Sequence, residues 1–155
     1  KSIIFVSPKQ REEVLKIVRN RIKYHQYTYS EDTEVRSRAL ENFKEGKIQA
    51  LVAIKCLDEG LDVPAARAGV IMASSGNPRE FIQRRGRLLR KHPNKKYAKI
   101  FDFFVTPSKE AISSSEMYKN QISKELKRIT EFAKSARNEI KVSKELKELK
   151  SKLGL

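Results

Sequence analysis

Five short segments of strand-forming residues, separated by stretches with helical spacing, constrain the fold of this chain more than any other feature. Ser2–Val6 and 49–54 are almost continuously apolar, which is typical of strands buried on both faces of a sheet. The other three segments lie at 27–29, 69–73 and 98–105. Strands that alternate with helices predict an α/β fold, an open and mainly parallel sheet with helices on both faces.

Signals for the ends of helices lie between these segments. Ser7 can cap a first helix, and Pro8 suits its first position. A second helix is predicted from 30–33 to Gly46, because glycine favours the left-handed conformation that ends many helices. Parallel sheets bind ligands at the edge where their strands end, so Ser7 and the loop 74–78 are expected at such an edge.

The pattern changes after Pro107. Apolar residues from Ile112 to Leu153 recur at helical spacing among lysines and glutamates. We interpret them as packing residues of helices. The sequence therefore predicts two parts, a sheet domain over residues 1–106 and a C-terminal helical extension over 107–155.

The charge of the chain restricts its partners. Its 155 residues include 34 lysines and arginines against 19 acidic residues, a formal net charge of +15. Such an excess favours nucleic acid, a phosphate-bearing ligand or an anionic membrane. The acidic residues of the tail, Glu139, Glu145 and Glu148 among them, favour a solvated helix or a partner contact over a membrane surface.

Cysteine and histidine content restricts the kinds of site that the chain can form. One cysteine allows no internal disulfide, and one cysteine with two histidines predicts no zinc site. No apolar run approaches the roughly 20 residues that cross a bilayer, and no signal peptide is recognised. The chain is therefore expected in a reducing, cytoplasmic setting, without metal ligands of its own.

Residues 83–90, Gln-Arg-Arg-Gly-Arg-Leu-Leu-Arg, contain four arginines. On a helix, Arg87 and Arg90 share a face, and Gln83 lies about one turn before Arg87. Two converging guanidinium groups suit a polyphosphate, and Gly86 allows the backbone a close approach to another group. A solvated basic helix face is the alternative interpretation.

Three segments together resemble motifs IV, V and VI of the second, C-terminal RecA-like domain of superfamily 2 helicases and translocases. They are Ser2–Val6, Ala53–Pro64 and 83–90. The resemblance covers about residues 1–106 and implies a RecA-like fold. The glutamine that begins motif VI and the Leu-Leu pair within it are similar to DNA-repair, restriction-type and duplex-translocating members. They are less similar to the DEAD-box RNA helicases.

The resemblance implies roles in ATP hydrolysis for residues of motifs V and VI. Arg87 and Arg90 would be arginine fingers that reach the γ-phosphate. Gln83 would contact that phosphate or the attacking water. Gly60 and Asp62 would lie at the nucleotide, where Asp62 accepts a hydrogen bond from a ribose hydroxyl. A cap or turn role is the alternative for Asp62.

The resemblance also implies nucleic-acid contacts at the strand ends. Ser7, Arg36, Lys55 and Ser74 can each donate a hydrogen bond to a backbone phosphate. Each is equally interpreted as an ordinary surface residue. Where many members of the family have threonine in motif V, this chain has Ile54, so no hydroxyl contact is expected there.

The sequence contains neither a Gly-x-x-x-x-Gly-Lys-Ser/Thr loop nor a strand ending in the Asp-Glu pair that binds magnesium. By the resemblance, ATP and Mg²⁺ are held mainly by an N-terminal RecA-like domain that this chain lacks. The expected function is the second motor domain of an ATP-dependent DNA helicase or translocase, inactive as an isolated fragment. The alternatives are half of an RNA helicase, or a basic nucleic-acid-binding module on the same fold without motor activity.

Overall fold

The computed structural model describes residues 1–54, 63, 65–72, 86, 88–93 and 95–155. Five strands form one parallel sheet: β1 Ser2–Val6, β2 Tyr24–Thr28, β3 Ala50–Ile54, β4 Ala68–Ile71 and β5 Lys99–Asp102. Their order across the sheet is β2-β3-β1-β4-β5, so β1 is central and β2 and β5 are the edges. The predicted α/β fold with an open parallel sheet is confirmed.

The central strands lie where the sequence predicts them, whereas the bounds of the edge strands differ from the predicted segments. β1 and β3 match their predicted segments to within one residue. β2 begins at Tyr24 rather than at the predicted 27–29, and β5 has four residues where 98–105 was expected. An edge strand pairs on one side only. Half-buried polar residues such as His25 and Gln26 are therefore tolerated in β2, and the pattern of a strand is weaker there.

One face of the sheet is covered by α1, Arg11–Val18, which a 3₁₀ turn at Pro8–Gln10 joins to β1. Val14, Leu15 and Val18 of this helix belong to a buried cluster with alternate side chains of two strands, Ile4, Val6, Ala50, Val52 and Ile54. The alternation follows from the twofold period of a strand.

The opposite face carries the intervening residues, which include Ile3, Phe5, Leu51 and Ala53, each at most 1% exposed. Gly69 lies beside Ile3 in the pairing of β4 with β1, and Leu88 packs against it. A Cβ atom on Gly69 would lie 2.2 Å from Leu88 Cδ1, so this packing requires a glycine. Leu88 is helical, and helical residues therefore pack on both faces of the sheet.

The second predicted helix is α2, Thr33–Glu45, between β2 and β3. It ends at Gly46 as predicted, where the backbone adopts a left-handed φ of 86°. The Gly46 N–H donates a hydrogen bond of 3.2 Å to the Phe43 carbonyl. Phe43 itself is fully buried, so this helix end is fixed by both a capping residue and a core side chain.

The chain divides into two compact units, a sheet unit at Lys1–Phe103 and a helical unit at Phe104–Leu155. The helical unit contains α3 Lys109–Ser114, α4 Glu116–Ala133 and α5 Glu139–Leu153. Its buried cluster consists of Ile112, Ile122, Leu126 and Leu153. In the described parts of the chain, no helix is long and apolar enough to cross a membrane.

Candidate functional site

The carboxyl ends of the strands lie along one edge of the sheet. Ile54, the last residue of β3, pairs with Val6 and Thr28, the last residues of β1 and β2. Ile71, the last residue of β4, pairs with Phe5 and with Asp102. Because the strands are parallel and end within one residue of each other in the pairing, the residues that follow them share this edge, where α/β sheets bind ligands.

Ser7 follows β1 at this edge and is held by a neighbouring glutamine. Its backbone N–H and its hydroxyl donate to Gln10 Oε1 over 3.3 and 2.9 Å. Gln10 Nε2 in turn donates to the Met72 carbonyl over 3.2 Å, which ties the end of β1 to the end of β4. The Ser7 oxygen still accepts hydrogen bonds, whereas donation from its hydroxyl to a phosphate would require an exchange with Gln10.

Arg36 lies in the first turn of α2 and is half-buried. Its Nη2 donates a long hydrogen bond of 3.4 Å to Thr33 Oγ1. Its Nε is buried and has no hydrogen-bond partner among the residues that the structure describes. The guanidinium charge is therefore not neutralised by a carboxylate of the described chain.

Arg90 directly follows the helical residues Leu88 and Leu89. Leu88 is fully buried and Leu89 is 47% exposed, so this segment packs by one side only. Arg90 is exposed on the surface. Gly86, which starts the described part of the segment, has no described atom within 4 Å of the position of a Cβ. The close approach predicted at this glycine is therefore not made by the described part of this chain.

A groove that the sequence did not predict lies beside β2. It has a volume of about 560 Å³ and is lined by Arg11, Tyr24, His25, Gln26, Thr28 and Glu31. The Arg11 guanidinium donates to Gln26 Oε1 through Nε over 3.0 Å and Nη2 over 2.8 Å. The Glu31 carboxylate accepts from the Thr28 N–H over 3.2 Å and lies 3.2 Å from His25 Nε2. The polar groups that line the groove therefore largely form hydrogen bonds and ion pairs with one another. No local sequence motif identifies these residues.

The other predicted site residues lie outside the described residues: Lys55, Gly60, Asp62, Ser74, Gln83 and Arg87. Of the predicted set, the structure describes Ser7, Arg36 and Arg90. The convergence of Gln83, Arg87 and Arg90 on one phosphate therefore stays a prediction. Within the described parts of the chain, no three His, Cys, Asp or Glu residues form a group that could hold a metal ion.

Comparison with known proteins gives matches in family models and in curated sequences. Residues 1–92 match the model of the helicase conserved C-terminal domain. The chain is 42% identical over 64 residues to the DNA 3′-5′ translocase XPB2 of Sulfurisphaera tokodaii, which covers 41% of this chain and 15% of that protein. It is 49% identical over 51 residues to Dicer-like protein 2 of Cryphonectria parasitica, covering 33% of this chain and 4% of that protein. The matched segments are thus small parts of these relatives.

Solved structures agree with the sheet topology. The C-terminal domain of the DEAD-box protein Dbp5 superposes with a TM-score of 0.55 at 26% identity, covering 68% of this chain and 62% of that chain. This likeness confirms the RecA-like fold that the motifs implied.

Proposed function

The chain belongs to the helicase conserved C-terminal domain family, and on that premise we propose that it is the second motor domain of an ATP-dependent DNA helicase or translocase. The observation that carries the proposal is the family match over residues 1–92, which includes the segments that resemble motifs IV, V and VI. In this proposal an N-terminal RecA-like domain of the same protein binds ATP and Mg²⁺. This chain completes the ATP site from the other side of a cleft.

The proposed catalytic residues act on the terminal phosphate. Arg87 and Arg90 stabilise the negative charge of the transferring phosphoryl group, and Gln83 orients the attacking water. Gly60 and Asp62 hold the nucleotide. Mg²⁺, when bound by the N-terminal domain, neutralises charge on the phosphates. The exposure of Arg90 at the end of a packed helical segment supports this role.

The proposed nucleic-acid contacts lie at the carboxyl ends of the strands. Ser7, Arg36, Lys55 and Ser74 contact phosphates of one strand. Two observations support this part of the proposal: the net charge of +15 and the absence of a carboxylate partner for Arg36 in the described chain. DNA is proposed rather than RNA because of the glutamine that begins motif VI and because one relative is a DNA translocase.

The test is ATP hydrolysis by the whole protein that contains this chain, with duplex DNA, single-stranded DNA or RNA as the stimulating ligand. Arg87→Ala and Arg90→Ala are expected to lower kcat by about 10³-fold or more, as loss of an arginine finger does. Binding of DNA should persist in both variants. Arg67→Ala is the matched control, because Arg67 is an exposed arginine at the amino ends of the strands.

Four outcomes would contradict parts of the proposal. Loss of DNA binding with normal turnover in Arg87→Ala would assign the arginines to nucleic acid. A whole protein that binds DNA without hydrolysing ATP would be the module without motor activity. Stimulation by RNA alone would identify half of an RNA helicase. ATP turnover by the isolated chain, abolished in Arg87→Ala, would show that the N-terminal domain is not required.

A further inference from the structure

A lysine outside the three motif segments forms hydrogen bonds with two backbone carbonyls, one within a motif segment and one shortly after another. Lys95 Nζ donates one hydrogen bond of 3.0 Å to the Leu88 carbonyl and another of 3.1 Å to the Ala66 carbonyl. Leu88 immediately follows Arg87, and Ala66 lies four residues after Asp62. One ammonium group thus links the segment that resembles motif VI to the residues that follow the segment that resembles motif V.

The Leu88 carbonyl is a suitable acceptor for a cation. Helical structure ends at Leu89, so the Leu88 carbonyl belongs to the last turn, whose carbonyls lack partners within the helix. A positive charge at that end also interacts favourably with the helix dipole. Lys95 therefore donates a hydrogen bond to a carbonyl at the helix end, and it also links that end to the loop that contains Ala66.

Leu88 is fixed from its other side as well. Its side chain is fully buried against Gly69 of β4, where a Cβ would lie 2.2 Å from Cδ1. Ala66 is equally constrained, because it is fully buried and its N–H donates to the Val63 carbonyl over 3.0 Å. The two groups that Lys95 joins are therefore rigid parts of the sheet unit.

A turn holds Lys95 in this position. Its backbone N–H donates to the His92 carbonyl over 2.9 Å, and His92 and Lys95 form an isolated bridge around Pro93. The ammonium is partly withdrawn from solvent, and this burial lowers the pKa of Lys95. The next lysine, Lys96, is exposed.

We propose that Lys95 is a positioning residue for ATP hydrolysis, which holds Leu88, between the proposed fingers Arg87 and Arg90 in sequence, in a fixed relation to Ala66, which follows the segment that resembles motif V. Its effect on turnover rests on the proposed function, whereas its effect on local order does not. A displacement of about 1 Å in a catalytic group can cost about 100-fold in rate. The two carbonyl contacts of Lys95 restrict such a displacement.

The experiment compares Lys95→Met with Lys95→Arg and Lys96→Met in the whole protein. In Lys95→Met, amide exchange of peptides covering 65–72 and 86–93 should accelerate about tenfold or more, as expected when a charged hydrogen-bond donor is removed. Exchange in β1 and in α4 should stay unchanged. Lys95→Arg should restore protection, because a guanidinium can reach both carbonyls, and Lys96→Met should behave as wild type.

Steady-state kinetics on the same preparations give the second readout. Lys95→Met should lower kcat by about tenfold to 100-fold with the KM for ATP and DNA affinity nearly unchanged. Lys95→Arg should recover most of the kcat.

Wild-type exchange in Lys95→Met, an exchange change without a change in kcat, or an equal loss in Lys96→Met would each overturn the positioning role. Acceleration of exchange throughout the sheet would also overturn it, because Lys95 would then be a general stability residue. If the wild-type protein shows no ATP turnover with any nucleic acid, the proposed function fails. In that case the exchange data alone decide whether Lys95 orders the two segments.

Discussion

The sheet unit and the helical unit differ in the hydrogen bonds and ion pairs that link their residues. In the sheet unit, Ser2 of β1 pairs with Ala50 on one side and with Ala68 on the other, so its core depends on contacts that are distant in sequence. In the helical unit two ion pairs are local: Glu125 with Arg128 at 2.8 Å, and Glu131 with Lys134 at 2.8 Å. Such pairs one turn apart contribute only a few tenths of a kcal/mol each.

This difference explains which unit can build a precise site. The links at the strand ends, such as Gln10 to Met72, and the bridge from Lys95 to Ala66 each join residues far apart in the chain. The two ion pairs named in the helical unit each join residues that are three positions apart. We therefore expect substitutions in the sheet unit to affect both stability and the site. Those in the helical unit should affect stability alone.

The largest difference in stability is expected for truncation of leucines. Leu51→Ala in β3 should lower the free energy of unfolding by about 2–5 kcal/mol, because Leu51 is fully buried in the sheet. Leu149→Ala in α5, where the leucine is only partly buried against its cluster, should cost about 1 kcal/mol. Urea unfolding that is monitored by amide exchange in β3 and α5 measures the loss of free energy in each variant. Equal losses would contradict the contrast between the units.

Two glycines of the sheet unit should respond in opposite directions. Gly69→Ala should cost about 1–3 kcal/mol, because its Cβ would collide with Leu88. Gly86→Ala should stabilise the fold by about 0.5–1 kcal/mol, because Gly86 is helical and has open space beside it among the described residues. Thermal unfolding compares the two. Destabilisation by Gly86→Ala would show that the fold of the chain requires the absence of a side chain at this position.

In each unit, a helix ends at a glycine with a left-handed backbone conformation. Gly46→Ala should cost about 1–2 kcal/mol, because alanine is strained at the left-handed φ of 86° and α2 leads directly into β3. Gly154 has a similar φ of 72° and ends α5, where the preceding Leu153 is 8% exposed. Phe43 at the end of α2 is 0% exposed, so the more tightly buried end of α2 should make Gly46→Ala the costlier change. Equal effects in urea unfolding would show that α5 is held as firmly as α2.

The smallest effect is expected at the start of the helical unit. Ser108 Oγ accepts a hydrogen bond from the Ala111 N–H over 3.3 Å, and Ser108→Ala should cost about 0.5–1 kcal/mol. Ser113→Ala, at an exposed position within the same helix, is the control and should cost nothing.

The pH dependence gives an independent check on this helix start. A hydrogen bond from its own backbone N–H, and then one from Ser108, lower the pKa of the exposed Glu110 carboxylate. A lowered folded-state pKa gives stability above the unfolded-state pKa, and this stability is lost as the pH falls through the folded value. The loss on acidification should be smaller in Ser108→Ala. An equal loss of stability in both proteins would show that Ser108 does not contribute to the lowered pKa of Glu110.

The sequence predicted the central strands better than the edges, for a physical reason. β1 and β3 are buried on both faces and are therefore almost continuously apolar, whereas β2 contains His25 and Gln26 on the sheet edge. At the other edge, Phe103 and Val105 look like strand residues, but they lie beyond the pairing of β5 and are 56% and 86% exposed. Apolar character alone did not reveal where the partner strand stops.

The candidate site was predicted only as far as local motifs extend. The order of strands and motifs indicated the edge at which Ser7 lies, and Gly46 marked the end of α2. The hydrogen bonds of Gln10 to Met72 and of Lys95 to Leu88 and Ala66 connect side chains to distant carbonyls. Lysine and glutamine are common on surfaces, so nothing in their sequence context distinguishes these two residues.

The central position of β1 has a consequence for synthesis of the protein on the ribosome. β1 precedes both of its neighbours, β3 and β4, in the order in which the chain is made. At about 5–20 residues per second, roughly 2–10 s pass between the appearance of Ser2–Val6 and that of its first partner, Ala50–Ile54. During this interval a nearly continuous apolar strand with two unpaired edges is exposed to other chains. A chaperone that binds short apolar segments is therefore expected to act on the first residues of the sheet before the rest of it exists.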